Sequence, residues 1–172
     1  ISNLFVEVMA IKKTVFSQEL KQKGHFDYRE LYDTAFAFLK DKGYRVEEHK
    51  YEEKISPDGK EINLKWESPK KVSDYFKNLI KTSWSIRKMV DTEVEIDGKR
   101  TSTNKGEVKI KVESTLIRDY DGEWEKKAIW KFLRGIYDRY IIRTTIDEYE
   151  DRLAGDSVEF IGELKGFLKL GK

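Results

Sequence analysis

Apolar and polar residues alternate along much of the middle of the chain, and that period of two predicts strands. From Ile80 the apolar positions Ile80, Trp84, Ile86, Val90, Val94 and Ile96 share one face. Lys81, Ser83, Ser85, Arg87, Asp91, Glu93 and Glu95 share the other. The same rule returns from Glu107, with Val108, Ile110, Val112 and Leu116 on the apolar face. Upstream, the segments around "YRVEEHKYEEKI" and "KEINLKWES" flank "SPDG", whose Pro57 and Gly59 suit a hairpin turn. Ile62, Leu64 and Trp66 form the inward face of its second arm. A first strand is expected up to about Phe16, where Val6, Val8 and Ala10 alternate before the phase weakens at Lys12 and Lys13.

Helical spacing is confined to four places. "HFDYRELYDTAFAFLKDKG" has Asp27 as N-cap with Glu30 three residues on, a stripe of Leu31, Ala35, Phe38 and Leu39, and Gly43 to end it. "SPKKVSDYFKNL" fits a short helix with Ser68 as cap and Pro69 at the first position. A helix over 123–142 follows the strands. A last helix opens at Thr145 and carries Ile146, Tyr149, Leu153, Phe160, Leu164 and Phe167 down one side to about Leu170, roughly 35–40 Å at the usual rise. Gly155, Gly162 and Gly166 weaken that helix and are expected where another backbone packs close.

The charges on the two period-two segments differ in sign. Asp91, Glu93 and Glu95 lie on one solvated face, and Lys109 and Lys111 on the other segment's. If the strands are neighbours, these charges are expected to face one another and to favour one register. Asp97-Gly98 predicts a tight hairpin and Asn104–Gly106 a second turn, with "KRTST" a short strand or the side of a loop.

Together these elements predict one α+β domain over residues 1–172: an antiparallel sheet of five or six strands packed on a long C-terminal helix. Residues 1–8, ahead of "MAIKKTVF", read as an appended or residual segment of a longer chain. In order and length of elements the chain resembles the helix-grip arrangement of the Bet v 1-like (START-related) superfamily. That resemblance implies a curved sheet wrapped about the last helix around an apolar cavity. The helix over 123–142 departs from the simplest form of that arrangement, and fold alone does not fix function.

Candidate binding residues follow from the aromatic positions. Trp66 and Trp84 occupy the inward phase of two strands, and Phe132, Ile136 and Tyr140 recur at helical spacing after them. They are expected either to pack as core or to line a site for an apolar or amphipathic small molecule between the sheet and the C-terminal helix. The helix over 123–142 is apolar through roughly 220° where a surface helix needs only ~100°. That helix is therefore expected either to be buried on two sides within the fold or to leave Trp130, Leu133 and Tyr137 exposed for a protein partner, a second copy of the chain, or a membrane surface.

Composition narrows the chemistry. With no cysteine among 172 residues, disulfides, thiol nucleophiles and cysteine-ligated metals are excluded, and a reducing, cytoplasmic setting is expected. A charged share of 38%, mostly Lys and Glu, resembles proteins from hot environments. Phosphate-binding glycine loops and the GxSxG elbow are missing. His25 and His49 lack a second histidine at ligand spacing. Asp147 with Glu150 or Asp151 could hold a hard cation, but acids in a first helical turn need no metal to explain them. No metal, nucleotide or prosthetic group is expected. Basic residues outnumber acids over 60–111, beside Tyr75, Phe76 and Trp84. Rings and cations nevertheless fall in opposite strand phases, which argues against nucleic acid. No apolar run is long enough to span a bilayer. The reading is a non-catalytic binding domain; a cofactor-independent enzyme working through Asp, Glu, Tyr or Lys is the rival.

Overall fold

The computed structural model describes residues 11–118, 136 and 143–170. Five strands and two helices follow in order: β1 (Ile11–Phe26), α1 (Tyr28–Asp41), β2 (Glu47–Ser56), β3 (Gly59–Lys71), β4 (Phe76–Ile96), β5 (Lys99–Arg118) and α2 (Arg143–Leu170). The strands form one antiparallel sheet in the order β1-β5-β4-β3-β2. β1 and β2 are its edges, so the sheet is not closed into a barrel. Both helices pack on one face of it, which makes the fold α+β.

Local chemistry explains α1. Asp27 accepts a hydrogen bond from the Glu30 amide (3.0 Å), satisfying one of the free N–H groups of the first turn. Leu31, Ala35 and Leu39 recur at helical spacing and are fully buried. Gly43 follows with φ +90°, where a side chain would be strained. The α2 helix buries Leu153, Ser157, Phe160, Ile161, Leu164 and Leu168. It meets α1 through Phe38 and Phe160, whose rings lie 5.4 Å apart. It meets the sheet through Phe76 and Tyr149, 4.7 Å apart.

Several expectations are corrected. β1 runs on to Phe26 rather than stopping near Phe16, because it pairs along its length with β5, from Ile11 opposite Arg118 to Phe26 opposite Asn104. Pairing overrides the weak local phase. The short helix expected from Ser68 does not form. β3 continues to Lys71, and Ser73 makes the turn into β4 by accepting from the amides of Tyr75 (3.2 Å) and Phe76 (3.0 Å). Pro69 is tolerated in the strand because the Pro69 carbonyl, which shares its side with the missing N–H, faces the β2 side, where it accepts from the Arg45 amide ahead of β2 (3.0 Å). Asn104–Gly106 is not a turn, and "KRTST" is not a loop; both lie within β5. Gly106 is there for space. A Cβ on it would stand 2.9 Å from the Arg87 carbonyl oxygen, where β4 bulges through Lys88 at φ 52°.

That bulge also breaks the phase expected for β4. Met89 turns in and Val90 turns out to 44% exposure, and Ile96 is exposed as well. The acidic residues do not face Lys109 and Lys111, because the Asp97-Gly98 turn fixes their register. Asp91, Glu93 and Glu95 sit opposite Asn104, Ser102 and Arg100, while Lys109 and Lys111 sit opposite Ser85 and Ser83. Lys109 pairs instead with Glu19 of β1 (3.4 Å). Asp97-Gly98 does make the expected two-residue turn, with Ile96 opposite Lys99. Thr145 lies inside α2 rather than at its cap. Gly155, Gly162 and Gly166 have nothing within 4 Å of a Cβ position, so they are not close-packing sites.

Candidate functional site

The inner face of the sheet is read directly from its registers. Ser68 of β3, Ile80 of β4 and Ser114 of β5 form one cross-strand row. Asn78 and Thr82 stand two residues to either side of Ile80 on the same face. Ile80 is therefore ringed by four small polar side chains inside an otherwise apolar layer. All four are at most 4% exposed.

One side of the ring is satisfied. Ser157 of α2 donates to the Leu153 carbonyl (2.8 Å), and its oxygen lies 2.5 Å from that of Ser114, which must supply the other proton. The remaining side is not. Ser68 Oγ, Asn78 Oδ1 and Thr82 Oγ1 are buried without a hydrogen-bond partner among the described residues, as are the indole nitrogens of Trp66 and Trp84. Each such group costs about 1–3 kcal/mol when left unpaired, so a cluster of them calls for an explanation.

The orientation of Asn78 is fixed by its neighbour. Tyr44 donates its single proton to Asp156 (2.9 Å) and so can only accept from Asn78. Asn78 must present its NH2 there, at 3.3 Å, which leaves its carbonyl oxygen as the orphan. Burial, and then the Asp156 carboxylate, push the Tyr44 phenol well above its usual range, so it remains a donor. Lys70 closes this end, with Nζ donating to the Lys42 carbonyl (2.7 Å) and lying 5.2 Å from the Tyr44 ring centre.

Trp66 and Trp84 are brought together as expected, with ring centres 5.3 Å apart and almost no exposure. They meet α1 rather than the C-terminal helix. Tyr32 packs edge-on against Trp66 at 4.9 Å, and Phe36 does so at 6.1 Å. The Trp66 N–H is close enough to favour the Tyr32 phenolate, yet it lies outside hydrogen-bonding geometry. Burial, followed by Glu48, nonetheless raises the Tyr32 phenol overall. Ile136 is helical and 39% exposed. Phe132 and Tyr140, and the partner candidates Trp130, Leu133 and Tyr137, lie outside the described residues.

Ser68, Asn78 and Thr82 were missed by the sequence reading. Ser68 resembled a helix cap, and Asn78 fell in the same supposed helix. The signal was present in the period: counting by twos from Phe76 puts Asn78 and Thr82 in phase with Ile80 and Trp84.

The outer face carries a different chemistry. Two neighbouring depressions of about 350 and 420 Å³ share Ser85 and Lys109 and are rimmed by Lys21, Lys50, Lys65, Arg87 and Lys111. Glu19 takes Lys21 (3.2 Å) and Lys109 (3.4 Å), and Glu107 takes Lys23 (3.4 Å). This is a lattice of exposed ion pairs within and between strands, each contributing ~0–1 kcal/mol. Trp84 and Ile86 are buried on the opposite face, so bases could not stack among these cations.

Other candidates are accounted for by protein contacts. Glu150 pairs with Lys13 (2.9 Å) and Glu148 with Arg152. His49 lies between Glu47 (3.3 Å) and Glu67 (3.6 Å) at the surface. Among the described residues, no three His, Asp or Glu side chains are grouped as a metal would need. Nor is any helix among them long and apolar enough to cross a membrane.

No protein-family model matches the sequence, and no curated protein matches it. Among solved structures the chain is similar to an uncharacterised protein from Rhizobium leguminosarum, at 6% identity and a TM-score of 0.25. The match covers 94% of this chain and 98% of the other. At that score the likeness carries no argument, and the resemblance to the helix-grip superfamily is not confirmed by it.

Proposed function

We propose that the protein is a binding domain that holds an amphipathic small molecule in the layer between the inner face of the sheet and its helices. One observation supports this above others: five buried polar atoms on that face, on Trp66, Ser68, Asn78, Thr82 and Trp84, have no hydrogen-bond partner among the described residues. Small-molecule sites combine an apolar, aromatic lining with a few polar groups that fix orientation. Trp66, Trp84 and Ile80 supply the first here, and Ser68, Asn78 and Thr82 the second. The same orphaned groups have no ionised side chain among them, which distinguishes the site from an acid–base centre.

Native mass spectrometry of the purified protein, followed by organic extraction, tests this. The reading predicts a stoichiometric excess mass that the extract recovers as an amphiphile. A protein of the bare sequence mass that takes up no amphiphile contradicts it.

A further inference from the structure

The outer face of the sheet lies away from the layer assigned to the amphiphile, and its chemistry stands independently of that reading. We propose that the depression of about 420 Å³ on this face binds a compact ligand through one doubly charged tetrahedral oxyanion, a phosphate or sulfate ester, seated on Ser83 and Ser85 between Lys65, Lys109 and Lys111.

The registers build the site. Ser83 of β4 stands between Lys111 of β5 and Lys65 of β3, and Ser85 stands between Lys109 and Asn63. All six residues line the depression. Short side chains on β4 make its floor, and lysines on β3 and β5 rise on either side. Ser83, Ser85 and Asn63 are half-buried, and their side chains make no hydrogen bond among the described residues. Lys65 has no acidic partner among them either. Ser83 and Ser85 lie two residues apart on one strand, about 6.7 Å. Hydrogen bonds of about 2.8 Å to two different oxygens of one tetrahedral group span that distance. Such bonds to an ionised acceptor are the stronger kind.

The charges form two tiers. The block of six holds three lysines and no acid. One step outward stand Glu19 opposite Lys111, Glu52 opposite Asn63, Glu107 opposite Arg87, and Glu67 and Glu113 opposite Lys81. Glu19, at the rim of the depression, holds Lys109 (3.4 Å), and Glu113 holds Lys111 (4.0 Å), so Lys65 is the cation that an anion recruits without breaking a pair. An anion confined to the block meets only lysines and neutral donors. An extended polyanion would bring its next charges onto the acidic ring, so the arrangement selects a single oxyanion over nucleic acid. A carboxylate offers one charge where three cations converge, and it is the weaker fit.

The test is titration of isotope-labelled protein with inorganic phosphate, glycerol phosphate, acetate, a short single-stranded oligonucleotide and phosphatidic acid vesicles, following the backbone amide resonances. The proposal predicts saturable shifts around Ser83 and Ser85 with millimolar phosphate or glycerol phosphate, and acetate at least about fivefold weaker. Ser83→Ala and Ser85→Ala should each weaken glycerol phosphate by about three- to tenfold, and Lys65→Gln by about two- to fivefold. Lys99→Gln, at the far end of the β4–β5 hairpin, should leave binding unchanged. The same spectra report whether each variant is folded, and Lys65→Gln changes only an exposed side chain. No saturable shift, or equal binding by wild type, Ser83→Ala and Ser85→Ala, overturns the site. An oligonucleotide that binds more tightly than glycerol phosphate, or shifts produced by the vesicles alone, overturns the compact ligand. Each of these results concerns the outer face and leaves the amphiphile reading to its own test.

Discussion

The hydroxyls of Ser114 and Ser157 lie 2.5 Å apart, buried, and join the C-terminal helix to the central part of the sheet. The bond is part of a chain that ends on the Leu153 carbonyl, so every proton in it has an acceptor. Replacing Ser157 with Ala would leave the Ser114 hydroxyl buried and unpaired. We expect Ser157→Ala to cost about 1–3 kcal/mol in chemical denaturation. The double variant Ser114→Ala/Ser157→Ala should recover part of that loss, and a double variant worse than the sum would contradict the pairing.

Across Ile80, the opposite result is expected. Thr82 already lacks a partner, so Thr82→Val removes an unpaired hydroxyl at nearly constant shape. In protein freed of ligand, Thr82→Val should gain about 1 kcal/mol and raise Tm by ~2–4 °C. A loss of stability would mean that the hydroxyl is bonded in the folded protein.

The glycines divide into two classes that substitution distinguishes. Gly59 and Gly106 press on the β4 bulge from either side, with Cβ positions 2.8 Å from the Lys88 carbonyl carbon and 2.9 Å from the Arg87 oxygen. Gly59→Ala and Gly106→Ala should each destabilise by about 1–3 kcal/mol. Gly155 and Gly162 are exposed on α2 with open space around them. Gly155→Ala and Gly162→Ala should each stabilise by about 0.5–1 kcal/mol. Thermal melts of the four single variants would check the division, and equal signs for both pairs would contradict it.

Surface ion pairs on the acid side, and ion pairs together with buried tyrosines on the alkaline side, govern the dependence on pH. Glu47 is held below the usual 4.5 by its hydrogen bonds to His49 and Arg45, and Glu53 by Lys60. Their contribution is present above that value and is lost as pH falls through the folded-state pKa. Lys42, raised above 10.5 by its hydrogen bond to Glu159, and Lys60, raised by Glu53, contribute fully below 10.5. That contribution is lost as pH rises through their folded-state values. Stability should thus be flat between these limits and fall beyond each. The ion-paired groups are exposed, so molar salt should shrink the acid fall, whereas the alkaline fall should persist because burial of the Tyr44 and Tyr28 phenols disfavours their ionisation in the folded protein. A single maximum near pH 7 with steep flanks would contradict the scheme.

Much of the fold was legible because its signals are local. Asp27 with Glu30, "SPDG" and Asp97-Gly98 each specify a turn or cap by their own chemistry. The long period of two in β4 and β5 needed no partner to be recognised. What failed depended on partners distant in sequence. The latter half of β1 is a strand because β5 lies beside it, and Ser68 with Pro69 imitates a helix start that the sheet overrides. The Lys88 bulge shifted the phase by one residue, which misplaced Val90. The candidate site was half legible. Trp66 and Trp84 stood out by size and phase, whereas Ser68, Asn78 and Thr82 have no unusual feature until the register gathers them around Ile80.

A crystal structure of the protein as purified tests the central claim most directly, in the electron density over Ile80. The account predicts connected density longer than a water molecule between the sheet and its helices, with a polar atom within hydrogen-bond distance of at least one of Ser68 Oγ, Asn78 Oδ1 and Thr82 Oγ1. Isolated water at that point, or Ser68 and Thr82 bonded directly to protein groups with the layer filled by side chains, would contradict it.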